Sequence, residues 1–195
     1  FGSRELSSIY FGGGTPSLFA PGEILSILNA INNEGFFLAP NNGNPAEITL
    51  EINPGTLTET SIEEFLKIGI TRFSVGAQTF DRELLMVTGR KHSIEDTVST
   101  LKLLADGKIN YSFDLLFGLP GQTLEGVRRD VARALEFSPS HLSAYNLTVP
   151  EKHPLNRGRA CDDDQAEMFE SIERDLAASG IFRYEVSNFA KPGFE

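Results

Sequence analysis

Short apolar, β-branched runs alternate with stretches of three-and-four apolar spacing along almost the whole chain, and no other feature limits the possible folds as much. Strand-like runs fall at 7–11 (SSIYF), 47–52 (EITLEI), 71–77 (TRFSVGA), 111–117 (YSFDLLF), 141–147 (HLSAYNL) and 181–187 (IFRYEVS). Between them Ile24, Leu28 and Ile31 share one helical face, as do Ile62, Phe65 and Leu66, then Val98, Leu101 and Leu104, then Val127, Val131 and Leu135, and finally Met168, Ile172 and Leu176. A Ser61-to-Glu64 capping box opens the second of these helices and Gly69 stops it; Ser93 caps the third, which ends before Gly107, and Gly180 ends the last. Segment 36–46, with its Asn, Gly and Pro, reads as a surface loop. There is no internal repeat and no low-complexity tract.

Strand and helix in alternation predict right-handed β-α-β units and a parallel sheet. An open doubly wound sheet gathers its chemistry at one switch point. A barrel gathers it from the C-terminal ends of many strands. Polar or glycine residues close five successive strands here, at Gly12 to Thr15, Glu51 to Pro54, Gln78, Asp114, and Tyr145 to Thr148. That pattern predicts an α/β barrel.

Composition narrows the function. With 195 residues, 40% of them hydrophobic, the chain builds one core and is expected to be a single domain over 1–195. Acidic side chains number 27 against 17 basic ones, a formal charge of −10, and no cluster of Lys and Arg interrupts them. A phosphate-backbone partner is therefore not expected. No apolar run approaches the roughly 20 residues that span a bilayer, and no signal-peptide pattern is present. The expectation is a cytoplasmic protein without a membrane segment. The single cysteine, Cys161, forms no internal disulfide and holds no metal cluster by itself. Phe1 at one end and "AKPGFE" at the other suggest truncation at both ends.

The first strand stops in "IYFGGGTPS". Glycines without Cβ reach positive φ and let a ligand approach the main chain, while Thr15 adds a hydroxyl and Pro16 fixes the exit. The same residues also suit a tight packed turn. The loop lacks the Lys-Ser/Thr of a Walker loop and the spacing of a dinucleotide fingerprint.

Seven segments in order, "YFGGGTPSLF", "EINPGT", "RFSVGAQTFD", "GRKH", "FDLLFGLPGQT", "HLSAYNLT" and "YEVSNFAKPG", resemble the radical S-adenosylmethionine family of oxygen-independent coproporphyrinogen III oxidases and their relatives, the heme chaperones. The resemblance covers nearly the whole chain and implies a partial (β/α)6 barrel of the TIM type, here lacking its first strand and cluster loop. It implies two cofactors, S-adenosylmethionine and a [4Fe–4S] cluster. By resemblance, Gly13, Gly14 and Thr15 meet the methionine amino group, and Glu51 supplies an acidic contact. Gln78 and Asp114 reach cofactor hydroxyls and neighbouring polar groups, Arg90 pairs with the cofactor carboxylate, and Thr148 is a backbone contact after the last strand.

Two residues also draw attention by chemistry alone. Asp114 stands among Phe113, Leu115, Leu116 and Phe117, where an acid needs a reason, and a guanidinium such as Arg90 suits a carboxylate. The cluster motif CxxxCxxC of the family is absent, so the chain has no metal ligands of its own and should be inactive alone. "GRKH", "NLTVPEKHPL" and "RYEVSNFAKPGFE" resemble the heme-chaperone branch, which implies heme as a further ligand and a heme-accepting client protein as partner. The alternatives are an oxidase that decarboxylates coproporphyrinogen III to protoporphyrinogen IX and an unrelated barrel for a small polar metabolite.

Among the remaining candidates, His92 sits near the expected site or caps a helix, His141 is structural at the barrel's bottom, and His153 is in an exposed loop. Asp162, Asp163 and Asp164 after Cys161 suit a helix N-terminus. Tyr10, Tyr145 and Tyr184 read as packing residues ahead of radical or porphyrin contacts.

Overall fold

In chain order the computed structural model, which describes residues 4–40 and 45–195, contains β1 (Glu5–Leu6), β2 (Ser8–Phe11), α1 (Pro21–Asn33), β3 (Phe37–Leu38), β4 (Glu47–Ile52), α2 (Glu59–Lys67), β5 (Arg72–Gln78), α3 (Arg82–Val87), α4 (Ile94–Asp106), β6 (Tyr111–Phe117), α5 (Leu124–Leu135), β7 (His141–Asn146), α6 (Asp162–Ala177), β8 (Phe182–Arg183) and β9 (Asn188–Ala190). Strands β2, β4, β5, β6 and β7 lie side by side in that order, all parallel. This is the expected α/β partial barrel. Among the described residues its edges, β2 and β8, are not paired with each other, so the barrel is open.

Three expectations are corrected. The sixth strand expected at 181–187 is reduced to β8 (Phe182–Arg183), the first arm of a hairpin whose second arm is β9 (Asn188–Ala190); β9 runs antiparallel to β7, and β8 antiparallel to β9. Alternating apolar residues describe a strand's faces and say nothing of its direction. The capping box of α2 lies one turn earlier than Ser61-to-Glu64. Thr58 is the cap; its hydroxyl accepts from the Ser61 N–H at 3.2 Å, and the Ser61 hydroxyl accepts from the Thr58 N–H at 2.8 Å. The loop at 36–46 contains β3, which pairs with β1; residues 41–44 of that loop lie outside the described ones.

The outer face of the sheet makes the core. Leu50, Phe73, Val75, Phe113 and Leu142 are fully buried there against Phe65, Leu101, Leu104, Val131 and Ile172 of the helices. Each such side chain contributes roughly 1.5–3 kcal/mol relative to exposure. The opposite face is polar. Register places Thr49 beside Arg72, Glu51 beside Ser74, Ser74 beside Ser112, and Asp114 beside Ser143. Period-2 alternation therefore sends apolar side chains to the helices and polar ones to the inside. The ends of β2, β4, β5 and β6 bring that inner face to one mouth.

Candidate functional site

At the C-terminal ends of these strands is a cavity of ≈190 Å³ lined by Gly14, Thr15, Glu51, Asn53, Ser74, Gly76, Gln78, Arg90 and Asp114 among others. Six of the eight expected site residues meet here. Gly13 joins through its main chain, donating its N–H to Glu51 Oε2 at 3.1 Å. Thr148 does not: it is exposed beyond β7, and its hydroxyl reaches the Asn146 carbonyl at 3.4 Å.

The glycine turn is built for the approach. Gly13 and Gly14 hold φ of +83° and +66°, a region that a side chain disfavours. A Cβ on Gly12 would come within 2.8 Å of the Tyr10 ring and 3.1 Å of Glu51 Oε1. Glu51 is held from both sides, since the Tyr10 hydroxyl donates to Oε1 at 2.9 Å. Tyr10 is thus a half-exposed hydrogen-bonding residue at the mouth, not the packing residue read from sequence.

Gln78 reaches the cavity through an irregularity. The pairing of β5 with β6 shifts between Val75 and Gln78, so that three steps on β5 face two on β6. A bulge of this kind bends the strand and re-aims a side chain. Gln78 then adopts φ of +70°, which costs of order 1–3 kcal/mol for a residue with a side chain. Its amide lies over Gly76, where an added Cβ would sit 3.3 Å from Nε2.

Arg90 is placed by α3, an element that the sequence reading omitted. Asp81 caps it by accepting from the Glu83 and Leu84 N–H groups. At its far end the Gly89 N–H bonds Met86 O at 3.0 Å and the Arg90 N–H bonds Leu85 O at 3.3 Å, with Gly89 at φ of +71°. This Schellman closure directs the chain back to the mouth. Asn53, also missed, links two parts of the site: its amide donates to Thr15 Oγ1 at 2.7 Å and its Oδ1 stands 3.5 Å from Arg90 Nη1. The only sequence signal for Asn53 was its place in "EINPGT".

Burial pushes the Asp114 carboxyl up to about 6; a bond from Ser143 and the charges of Arg72 and Arg90 act against this, and Glu51 adds to it. The site therefore offers two carboxylates, one guanidinium, two side-chain amides and a bare glycine turn. It suits a zwitterionic, hydroxyl-bearing ligand with a positive centre, such as S-adenosylmethionine.

A second cavity of ≈520 Å³ adjoins it, sharing Thr15, Asn53 and Arg90 and bordered by His92, whose Nε2 is buried without a partner. A larger cavity, ≈690 Å³, lies at the opposite end of the sheet beside Asn110, Ser138 and Ser140, away from these groups.

No metal centre is apparent among the described residues: no group of three or more His, Cys, Asp or Glu is disposed to hold one. Cys161 is exposed at the N-cap of α6, and the acids Asp162 to Asp164 fill that helix's first turn as expected. His153 caps a short 3-10 turn. No helix among the described residues is long and apolar enough to cross a membrane.

The chain is similar in sequence and in fold to known proteins. The chain is 38% identical over 196 residues to the heme chaperone HemW of Haemophilus influenzae and 36% identical over 197 residues to that of Escherichia coli, each match covering 98% of this chain and 50% of the relative. It is 36% identical over 202 residues to the mouse mitochondrial radical S-adenosyl methionine domain-containing protein 1, covering 98% of this chain and 44% of the relative. The chain thus spans about half the length of the curated relatives it matches. In fold it resembles the coproporphyrinogen III oxidase HemN of Escherichia coli, with a TM-score of 0.81 at 24% identity over 97% of this chain and 44% of that one. The profile of the Radical SAM superfamily matches residues 2–134, and with its parallel strands converging on one polar mouth the chain belongs to that superfamily.

Proposed function

We propose that this chain is the cofactor-binding barrel of a heme chaperone, one domain over 1–195, acting in the cytoplasm and passing heme to a client protein. The observation that carries the reading is the convergence of Glu51, Gln78, Arg90 and Asp114 on one cavity, in a chain similar over 98% of its length to curated heme chaperones.

Membership in the superfamily implies S-adenosylmethionine and a [4Fe–4S] cluster. The residues present fit the first. Glu51, beside the turn of Gly13, Gly14 and Thr15, faces the ammonium group, and the turn leaves carbonyls for it. Arg90 pairs with the carboxylate, while Asp114 accepts from ribose hydroxyls with Gln78 beside it. Thr148, exposed beyond β7, lies outside this cavity and contributes no side-chain contact to it. They do not fit the second, because the chain holds one cysteine and it is at the edge of α6.

The test uses the full-length protein, reconstituted anaerobically with iron and sulfide and given S-adenosylmethionine and reductant. One sample receives heme and another coproporphyrinogen III. Heme retained after gel filtration with no decarboxylation is the expected result. Conversion to protoporphyrinogen IX would make the protein an oxidase and overturn the chaperone reading.

A further inference from the structure

The buried stripe of α5 consists of Val127, Val131, Ala134 and one acid, Asp130, which is only 5% exposed. An acid in an apolar stripe is costly unless its oxygens are used. Both are used, and on the same short segment. Oδ2 accepts from the Thr79 hydroxyl at 2.8 Å and Oδ1 from the Phe80 N–H at 2.8 Å. Thr79, fully buried, in turn accepts the Asp81 N–H at 3.0 Å through the same hydroxyl, and its own N–H bonds Ala77 O at 2.9 Å. Phe80 is stacked on Phe137 with ring centroids 6.2 Å apart. Residues 79–81 are therefore held at several points, immediately after the left-handed Gln78.

A residue at φ of +70° stays there only when its surroundings over-determine it. On β5 itself one bond, from the Thr79 N–H to Ala77 O at 2.9 Å, closes a tight turn around Gln78, but the ladder to β6 is irregular at this position. The further restraint comes from the next β-α unit. A carboxylate is the apt group, since it offers two acceptors and no donor to a hydroxyl and an N–H that both must donate.

We infer that Asp130 is a positioning residue for the cofactor site: by clamping Thr79 and Phe80 it holds the bulge that turns the Gln78 amide into the cavity. This inference rests on the proposed cofactor role of Gln78. Asp130 touches no part of the cavity, so any effect on ligand affinity passes through the loop. Burial pushes its carboxyl up to about 6, with the bonds from Phe80 and Thr79 opposing, Asp81 adding and Arg129 opposing; at neutral pH it is ionised and accepts both bonds.

The experiment is calorimetric titration of the full-length protein with S-adenosylmethionine, with thermal melting alongside, for Gln78→Ala, Asp130→Ala, Asp130→Asn and the double variant Gln78→Ala/Asp130→Ala. Gln78→Ala is expected to weaken binding about tenfold, the scale of one lost hydrogen bond. Asp130→Ala should weaken it by a similar factor, and the double variant no further than either alone. Asp130→Asn keeps the acceptor for Phe80 and gives a smaller loss, which serves also if Asp130→Ala fails to fold. Val131→Ala, a neighbour on the same buried stripe, should lower the melting temperature and leave affinity unchanged. Additive losses in the double variant, or unaltered affinity in both Asp130 variants, would overturn the positioning role alone. Unaltered affinity in Gln78→Ala would overturn the cofactor assignment of Gln78 and this inference with it.

Discussion

At the N-terminal end of the parallel strands the inner face carries Glu47, Arg72, Ser112 and His141, whereas at the C-terminal end it carries Glu51, Asp114 and Ser143; Ser74, paired with Ser112, lies between the two. Both ends are polar, yet the lower groups use one another. Arg72 donates to Ser112 Oγ at 2.7 Å and reaches Glu47 Oε1 and Thr49 Oγ1 at 3.4 Å each. His141 Nε2 bonds the Tyr184 hydroxyl at 2.8 Å, the structural role expected of it. At the upper end Arg90, Gln78 and Asp114 border open space. Polarity has two uses on this one surface: groups that pair with one another, save for His141 Nδ1, which is buried without a hydrogen bond among the described residues, form the floor, and groups left facing a cavity make a site.

Substitutions that break only one end should sharpen this contrast. Arg72→Ala removes the hub of the floor and should cost about 2 kcal/mol in urea denaturation, chiefly through the lost bond to Ser112, since Glu47 is 43% exposed and screened by water; S-adenosylmethionine affinity should barely move. Arg90→Ala reverses the pattern, with stability unchanged and affinity down by about 2 kcal/mol, near thirtyfold, in calorimetric titration. Loss of both properties in either variant would remove the distinction between floor and site.

Acid also tests the two ends, with opposite signs. Asp114 titrates near 6 because burial disfavours its charge. Below that pH it is protonated and accepts fewer hydrogen bonds, so affinity should weaken by up to about tenfold per pH unit below 6, and Asp114→Asn should flatten this profile. For stability the raised carboxyl acts the other way: its contribution is complete below the unfolded value and is lost as pH rises through about 6. His141 is depressed to about 4, first by burial and then by Arg72. The unfolded chain takes up that proton first, so stability falls as pH drops from 6.5 toward 4. His141→Asn should therefore remove part of the acid-side loss, on the order of 1 kcal/mol between pH 6.5 and 5, in melts across that range. Smallest of all, Thr148→Ala should change stability and affinity by less than about 0.5 kcal/mol, because its exposed side chain borders neither end.

Much of this was legible in the chain. The runs EITLEI and YSFDLLF match β4 and β6 residue for residue, since two buried apolar residues in every four leave a strong period-2 signal. The cap Ser93 and the stop at Gly69 act locally, through bonds to residues within a few positions. Helix α3 was missed because six residues make less than two turns, too few for a periodicity to show, although Asp81 and Gly89 punctuate it. Asp114 stood out as an acid in an apolar run. Asn53 did not, because its value comes from Thr15 and Arg90, which are 38 and 37 positions away.

The sequence by itself determined the parallel α/β order, the division of each strand into an apolar and a polar face, and the glycine turn, because all three follow from local sterics and from period-2 burial. Only the tertiary structure decided that β8 and β9 form a hairpin antiparallel to the barrel strands, that β5 bulges to aim Gln78, and that an acid on α5 grips the loop beyond it. Those outcomes depend on contacts between distant segments, where a hydrogen bond is made or lost according to what the rest of the chain brings within about 3 Å.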